Sequence, residues 1–299
     1  APPHALLRPR IALPFIVVAL IWGSTWYVIT GQIAEVPASW SIAYRFAMAT
    51  PAMFVVAPVM RQPFGLGRAG HLLAVLIGLT QFCGNFNFVY RAELHLTSGI
   101  VAVMFGMLMV PNALLGRWWL GQQVTPRFLL GSLVAIAGIA LLLVHEAQTA
   151  RLDGNVLLGV VLAVGGILSA SVAKGVRPTG TGPSPRGAGL RAWSILSGGV
   201  FKLALAWPPP APPVFPASTA FWAGTAWLAL AGSVVTFPLY YTIVREIGPG
   251  RAAYNGVLVI VVAMLISTFV EGYQWSLLAA AGAVLGTGGM ILALRARQA

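Results

Sequence analysis

Long apolar runs dominate the sequence, and short polar connections separate them. A bilayer core of about 30 Å needs roughly 20 apolar helical residues, because lipid offers the backbone no hydrogen-bond partners. With 58% hydrophobic and 8% charged residues, the 299-residue chain has too little polar surface for a water-soluble globule. The sequence therefore predicts an all-α integral membrane protein. The ten candidate spans are about 12–31, 39–60, 70–90, 95–116, 127–145, 155–173, 190–207, 219–244, 252–270 and 275–294.

The positions of Lys and Arg predict the orientation of these spans, because both residues favour cytoplasmic ends. With the N-terminus inside, fourteen of the 18 Lys and Arg residues fall inside: Arg8, Arg10, Arg61, Arg68, Arg117, Arg127, Lys174, Arg177, Arg186, Arg191, Arg245, Arg251, Arg295 and Arg297. Five of the six acids fall outside, namely Glu35, Glu93, Glu146, Asp153 and Glu271. We therefore expect ten transmembrane helices with both chain ends cytoplasmic. A cleaved secretory signal is disfavoured, since the first run is too long and no small-residue cleavage site follows it cleanly.

Two passages about 150 residues apart resemble each other. "YRAELHLTSG" opens onto one apolar run and "IVREIGPGRAAYNG" onto another, which aligns Glu93 with Glu246. Nearly the same offset relates two pairs of glycines, Gly131 and Gly138 with Gly282 and Gly289. We expect two five-helix repeats, 1–148 and 149–299, in one membrane-embedded unit. An odd number of spans per repeat inverts the second repeat, an arrangement typical of transporters with alternating access to a central site.

Four stretches resemble a known family. They are "ALIWGSTW" in the first span, Arg45-Phe46 in the second, the stretch from Tyr90 to Pro111, and "GSLVAIAGIALLL" in the fifth. Together they resemble the drug/metabolite transporter superfamily in its EamA branch of ten-helix exporters, and most of all the aromatic amino acid exporters of the YddG type. The resemblance implies export of small organic solutes across the bacterial inner membrane. Gly121-Gln122 departs from the family's Gly-Glu, and the Gly/Pro/Arg-rich loop 174–191 leaves the limits of the seventh span open.

Polar and aromatic residues inside spans are the candidate solute contacts, because polar groups in hydrocarbon are costly and face the bundle interior. The predicted substrate-binding residues are Trp22, Thr25, Arg45, Gln81, Asn85, Tyr90, Met104, Met107, Ser169, Tyr240, Tyr241, Tyr254 and Asn255. A pocket of such residues suits an amphipathic solute with a ring. Each residue has the alternative role of joining helices or marking the membrane interface. Arg45 would meet a substrate carboxylate or, alternatively, snorkel or bond carbonyls, whereas we expect Lys202 to snorkel.

The leading functional prediction is export of aromatic or other hydrophobic amino acids by alternating access. Glu93, Glu246 and Glu271 all lie at span ends, which favours movement without a buried proton-coupling carboxylate, although an edge carboxylate could couple. The alternative is export of another metabolite or a drug, such as a sugar or nucleoside derivative, with or without proton coupling. A passive channel is a third class, and saturation with counterflow would separate it from a carrier.

Several other classes do not fit the sequence. No P-loop motif occurs, and the spans hold a single Cys, no Asp, and His only at their ends, too few for an intramembrane enzyme or a metal site. The single Cys83 permits no disulfide, and no cofactor is expected. The net charge of +12 suits loops at an anionic membrane surface better than nucleic acid. The expected partners are the lipid bilayer and a small-molecule substrate; the oligomeric state is open, and a monomer would suffice.

Overall fold

The computed structural model describes residues 8–61, 64–121, 123–149, 155–175, 187–206 and 212–296. Of the residues named above, Gln122, Asp153, Arg177, Arg186 and Arg297 lie outside these ranges. Within them the secondary structure is helical, without strands. We number the ten long helical segments of this described part α1 (Pro9–Glu35), α2 (Ala38–Val59), α3 (Gly67–Ala92), α4 (Ser98–Trp119), α5 (Pro126–Thr149), α6 (Val156–Gly175), α7 (Ala188–Ala206), α8 (Thr219–Gly248), α9 (Tyr254–Phe269) and α10 (Leu277–Ala296).

Eight of these described helices, all except α7 and α9, are long and apolar enough to cross a membrane. Helix α9 is apolar but only 16 residues long. Helix α7 has 19 residues and carries two cations, Arg191 and Lys202. The prediction of an all-α membrane protein is therefore confirmed, whereas a full complement of ten crossings stays a prediction.

Proline accounts for a break in α4. This helix consists of a stretch Ser98–Gly106 and a second stretch that begins at Met109. Pro111 cannot donate a backbone hydrogen bond, and its ring clashes with the carbonyl four residues earlier, that of Met107. The Met107 amide bonds to the Met104 carbonyl three residues back at 2.9 Å, the tighter pattern of a 3₁₀ turn. The break is therefore encoded locally in the sequence.

Helices α3 and α8 each contain a π-helical segment in the middle, Gly78–Asn85 in α3 and Trp227–Val235 in α8. The two segments occupy similar places in the two halves of the chain. π turns are rare and often occur at functional sites. Asn85 and Ser233 lie in these segments, and both side chains are buried. The irregular backbone thus places polar groups inside the bundle.

Helices α5 and α10 cross with their backbones in contact. Two pairs of glycines face each other there, Gly131 with Gly289 and Gly138 with Gly282. A Cβ atom on Gly131 would lie 2.5 Å from the amide nitrogen of Ala293, and one on Gly282 would lie 2.7 Å from the carbonyl oxygen of Gly138. Small residues allow such close approach in membranes. The pairs run in opposite directions along the two helices, so the helices are antiparallel.

The buried apolar side chains form two large clusters. One lies mainly among α4, α5, α6, α9 and α10, and the other among α2, α3, α7 and α8. Trp26 of α1 and Phe105 of α4 pack against both, with ring centroids 5.2 Å apart. On the outside, large apolar side chains such as Leu157 and Val284 are mostly exposed, a surface that suits lipid rather than water. Helix α1 therefore lies at the seam between the clusters.

Candidate functional site

Arg45 of α2 is buried among the helices and is only 4% exposed. Its guanidinium donates hydrogen bonds to the hydroxyl of Tyr90 on α3 at 3.4 Å and to Oγ of Ser233 on α8 at 3.2 Å. The Nε atom is buried without a partner. Within the described ranges, none of the hydrogen-bond acceptors of Arg45 is a carboxylate. A buried cation held only by neutral hydroxyls has unused capacity for an anionic group.

Aromatic rings surround the Arg45 guanidinium. Its central carbon lies 4.5 Å from the ring centroid of Phe86 and 5.8 Å from that of Phe46. These two rings pack edge to face with centroids 5.1 Å apart. A cation beside an aromatic face is stabilised by the ring quadrupole, more so when water is excluded. The rings that contact the Arg45 guanidinium are therefore aromatic, and its hydrogen-bond partners are two hydroxyls.

Gly232 makes room for α1 to approach this site. A Cβ atom on Gly232 would lie 3.0 Å from Cγ2 of Thr25 and 3.6 Å from a terminal nitrogen of Arg45. The indole Nε1 of Trp22 donates to the Gly232 carbonyl at 3.1 Å. The ring of Tyr240 lies 5.2 Å from that of Trp22. The structure thus brings together five of the predicted residues, Trp22, Thr25, Arg45, Tyr90 and Tyr240, around one glycine of α8.

A second feature is a pocket of about 350 Å³ between the C-terminal ends of α1, α3 and α5 and the connection from α9 to α10. Three carboxylates line it, those of Glu93, Glu146 and Glu271. On the predicted topology this is the outer side of the membrane. We call this cavity the outer pocket. Glu93 follows Tyr90 by three residues at the end of α3, so the outer pocket reaches towards the Arg45 site.

Two acids of the outer pocket are buried although they lie at or next to helix ends. Glu93 and Glu146 are each only 4% exposed, so position at the end of a span does not keep them in solvent. The reason is that the outer ends of the helices converge around the outer pocket. Burial and the nearby charge of Glu271 raise the pKa of the Glu93 carboxyl well above its usual range, and the positive charge of Arg45 opposes this shift only in part. The premise that acids at span ends are not buried was therefore wrong for Glu93 and Glu146, whereas the absence of a buried proton-coupling carboxylate stays a prediction.

Two of the predicted site residues hold helices together. Oγ of Ser169 on α6 donates to the carbonyl of Thr80 on α3 at 2.7 Å. Nδ2 of Asn255 on α9 donates to the carbonyl of Phe15 on α1 at 2.6 Å, while its Oδ1 is buried without a partner. Such bonds are common between transmembrane helices. For both residues the observed contacts match the packing alternative.

The remaining predicted residues are not among the hydrogen-bond partners of Arg45, which are Tyr90 and Ser233. Tyr241 is exposed and accepts a hydrogen bond from Arg191, whose guanidinium also stacks on the ring of Phe237. The side chain of Asn85 is buried with an unpaired Oδ1. Four more belong to the helix packing, with buried Met104 and Met107 and half-buried Gln81 and Tyr254. None of these contacts tests a role in solute binding, so these assignments stay predictions.

Lys202 does not snorkel as expected. Its side chain is 1% exposed, and Nζ donates to Oδ1 of Asn87 at 2.6 Å and to Oγ of Ser39 at 3.3 Å. The cause is that α7 packs directly against α2 and α3, which places Lys202 between helices instead of beside lipid. Depth along a span therefore did not reveal which side of the helix the cation occupies.

Sequence reasoning missed Ser233, Phe86 and Tyr273 as parts of these sites. Ser233 also donates to the carbonyl of Leu228 five residues earlier at 3.1 Å, so the π segment of α8 sets its position. No sequence pattern signalled that segment. Tyr273 lines the outer pocket beside the carboxylates, and its hydroxyl is buried without a partner. The sequence did indicate that the glutamates of the outer pocket lie near one another in depth, since the predicted topology places all three on the outer side of the membrane.

Residues 10–144 match the model of the EamA-like transporter family. Protein PagO of Salmonella typhimurium (strain LT2) is 22% identical over 142 residues, and the match covers 48% of this chain and 47% of PagO. The chain thus spans about half the length of this curated relative. A protein of known crystal structure shares the fold, with a TM-score of 0.61 and 17% identity over 96% of this chain and 97% of the other.

The fold and the family match define the class of the molecule. It is a multi-pass helical membrane protein, and its residues 10–144 match the EamA-like transporter family. That family comprises transporters and indicates no catalytic activity. The subtype of aromatic amino acid exporter has no support from these comparisons. In the described part of the chain no group of three or more His, Cys, Asp or Glu residues is arranged to hold a metal ion.

Proposed function

We propose that the protein is a carrier that exports small organic solutes bearing a carboxylate and an apolar or aromatic body. One observation carries the proposal. Arg45 is buried in the bundle with neutral hydroxyl partners from Tyr90 and Ser233 and with an unpaired Nε. A charged group is costly in a membrane protein interior and usually serves a substrate or ion pathway. A guanidinium with free donors suits a carboxylate, which it binds as a charge-assisted pair.

The apolar surroundings narrow the solute class. Phe46 and Phe86 lie beside the guanidinium, and Trp22 bonds to the carbonyl of Gly232, a glycine close to Arg45; all three offer ring surfaces. A solute that pairs its carboxylate with Arg45 and packs a ring against these residues combines both features of the site. Tryptophan and phenylalanine are such solutes. We therefore retain aromatic amino acids as the leading candidates.

Alternating access by two inverted five-helix repeats, 1–148 and 149–299, is the mechanism we propose. The α5–α10 crossing supports it, because an offset of 151 residues exchanges the facing pair Gly131 and Gly289 with the pair Gly282 and Gly138. The matching π segments of α3 and α8 support it as well. The proposal places both chain ends in the cytoplasm of a cell whose inner membrane holds the protein. Tags that reported the two ends in different compartments would contradict it.

The test is counterflow in proteoliposomes loaded with unlabelled tryptophan or phenylalanine and given the labelled amino acid outside. We expect saturable exchange by the wild type. Arg45→Gln should weaken apparent affinity by roughly 10- to 100-fold, the equivalent of losing about 1.5–3 kcal/mol of a hydrogen bond to a charged group. Arg45→Lys should retain part of the affinity, because it keeps the charge but loses the fork geometry.

The matched control is Arg68→Gln, which removes an exposed arginine from the N-terminal end of α3 and should leave exchange unchanged. Variants are compared at equal amounts of reconstituted protein with the same elution profile in detergent. If Arg45→Gln protein exchanges amino acids like the wild type, the carboxylate site is not at Arg45. If no amino acid shows counterflow, the solute belongs to another class.

An organic cation is the second candidate solute, and the outer pocket favours it. Glu93, Glu146 and Glu271 form a concentration of acidic groups on the predicted outer side. Such a pocket would attract positively charged drugs or metabolites. Counterflow of a lipophilic cation, with none for amino acids, would select this alternative over the carboxylate carrier.

A further inference from the structure

The outer pocket contains one carboxylate with no hydrogen-bond donor. Glu146 accepts a bond from the backbone amide of Thr97 at 2.9 Å, and Glu271 accepts one from Oγ of Ser98 at 2.7 Å. Both oxygens of Glu93 are buried and unpaired, although the residue lines the same pocket. An ionised carboxylate in this setting carries a large desolvation cost without compensation. The setting of Glu93 therefore favours its protonated form over an unpaired carboxylate.

The groups around Glu93 define its electrostatic environment. Those that face it or share its pocket are Arg45 on α2, Tyr90 on its own helix, His95 in the connection that follows, His145 and Glu146 on α5, and Glu271 and Tyr273 before α10. His145 is bonded through its two ring nitrogens to the carbonyl of Gln274 at 2.7 Å and to Oγ of Ser276 at 3.0 Å, so it does not bond to Glu93. Arg45 directs its hydrogen bonds to Tyr90 and Ser233 instead. The net surroundings of Glu93 are acidic.

We propose that Glu93 is a proton-binding carboxylate reached from the outer pocket, and that its protonation strengthens the binding of an anionic group at Arg45. The first statement rests on the burial and the unpaired oxygens of Glu93. The second rests on the proposed function of Arg45 as a carboxylate site. A proton fits the geometry better than a metal ion, because the acids and histidines described do not form a metal-binding group.

The coupling follows from the sign of the charges. An ionised Glu93 offsets part of the field of Arg45 and repels an incoming solute carboxylate. A protonated Glu93 no longer offsets the positive charge of Arg45, so an anionic group binds more tightly. Thermodynamic linkage requires the reciprocal effect, in which the bound solute raises the proton affinity of Glu93. Solute affinity should therefore rise as the pH outside falls.

Infrared spectroscopy of the full chain in lipid tests the proton site without any solute. The carbonyl stretch of a protonated carboxylic acid is distinct from that of a carboxylate, and its loss can be followed as the pH rises. We expect the wild type to retain a carboxylic acid band at pH values well above the usual pKa of Glu near 4.3. Glu93→Gln should remove that band, and Glu93→Asp should keep a band with an altered midpoint.

The matched control is Glu35→Gln, which removes an exposed acid from the same predicted side and should leave the band unchanged. If the wild type shows no carboxylic acid band at pH values above the usual pKa range of Glu, the proton site is overturned. Persistence of the band in Glu93→Gln would overturn the assignment to Glu93. Both outcomes are independent of whether the protein transports anything, and the wild-type titration does not depend on the folding of any variant.

The coupling is tested by the pH dependence of phenylalanine and tryptophan affinity in proteoliposomes. We expect affinity to rise with falling pH by at most about tenfold per unit, the limit for a single linked proton. Glu93→Gln should bind tightly at every pH, because its amide imitates the neutral acid. Loss of affinity at every pH in Glu93→Gln would show that Glu93 binds the solute's ammonium group, which would overturn the coupling. Weak, pH-independent binding in the wild type would overturn it too.

Discussion

The contact between α5 and α10 makes a specific prediction about Gly138→Ala. A Cβ atom at this position would overlap the amide nitrogen of Gly286 and would lie 2.6 Å from the carbonyl oxygen of Gly282. Both obstructions are backbone atoms of a facing helix, so no side-chain rotation relieves them. The two helices must separate, and every other contact along the crossing weakens with them.

The magnitude follows from two opposing effects. Alanine favours a helix interior over glycine by about 1 kcal/mol. Overpacking of a tight interface costs typically about 1–3 kcal/mol and sometimes more. Because the clash here is with backbone, we expect the upper part of that range and a net destabilisation of about 1–2 kcal/mol. Gly288→Ala on α10 is the matched control, since a Cβ there meets nothing within 4 Å and the substitution should stabilise by up to about 1 kcal/mol.

Thermal unfolding in detergent, followed by the loss of the monodisperse elution peak, separates the two variants. We expect Gly138→Ala to lower the apparent Tm by several degrees, at about 2–4 °C per kcal/mol for a chain of this order of size. Gly289→Ala, which meets the backbone of Ala135 and Gly131 from the other helix, should behave in the same way. If Gly138→Ala were as stable as Gly288→Ala, the backbone contact would not exist in the folded protein.

Two further predictions concern buried polar groups. The raised pKa of Glu93 means that the folded state binds the proton more tightly than the unfolded state does. The free energy of unfolding should therefore fall as pH rises from about 4.3 towards the folded pKa, and its dependence on pH, measured by denaturation, should be weaker in Glu93→Gln. Asn255→Ala removes the bond to the Phe15 carbonyl and should cost about 0.6 kcal/mol in the same thermal assay, whereas an unchanged Tm would show that this bond adds no stability.

Much of the fold could be predicted from the sequence because lipid imposes a simple rule on it. Each apolar run of about 20 residues must satisfy its backbone internally, so length and composition identify helices without knowledge of their neighbours. The predicted run 70–90 corresponds to Gly67–Ala92, and the run 127–145 to Pro126–Thr149. The π segments and the packing of α7 among other helices left no such local signal. They arise from tertiary contacts, which a single sequence does not record.

The candidate site was only partly predictable for a related reason. The free-energy cost of burying a polar group in a membrane indicates that Arg45 and Tyr90 need polar surroundings, but it does not indicate which residues supply them. The partner Ser233 lies 188 residues away from Arg45, in a π segment of α8. For the acids, the sequence indicated an exposed position where the structure has a buried one. Distance along a helix measures depth in the bilayer, whereas the burial of Glu93 depends on the convergence of neighbouring helix ends around the outer pocket.

Departure from symmetry is what distinguishes the proposed functional groups from structural ones. The glycine contacts of α5 and α10 are exchanged by a single sequence offset, as packing between two similar repeats would require. Glu93 and its sequence counterpart Glu246 behave differently. Glu246 is 40% exposed in its side chain and pairs with Arg10 at 3.3 Å, whereas Glu93 is buried and unpaired. If both glutamates served only to hold the repeats together, both would have partners, and the unpaired state of Glu93 is therefore the feature that a structural role leaves unexplained.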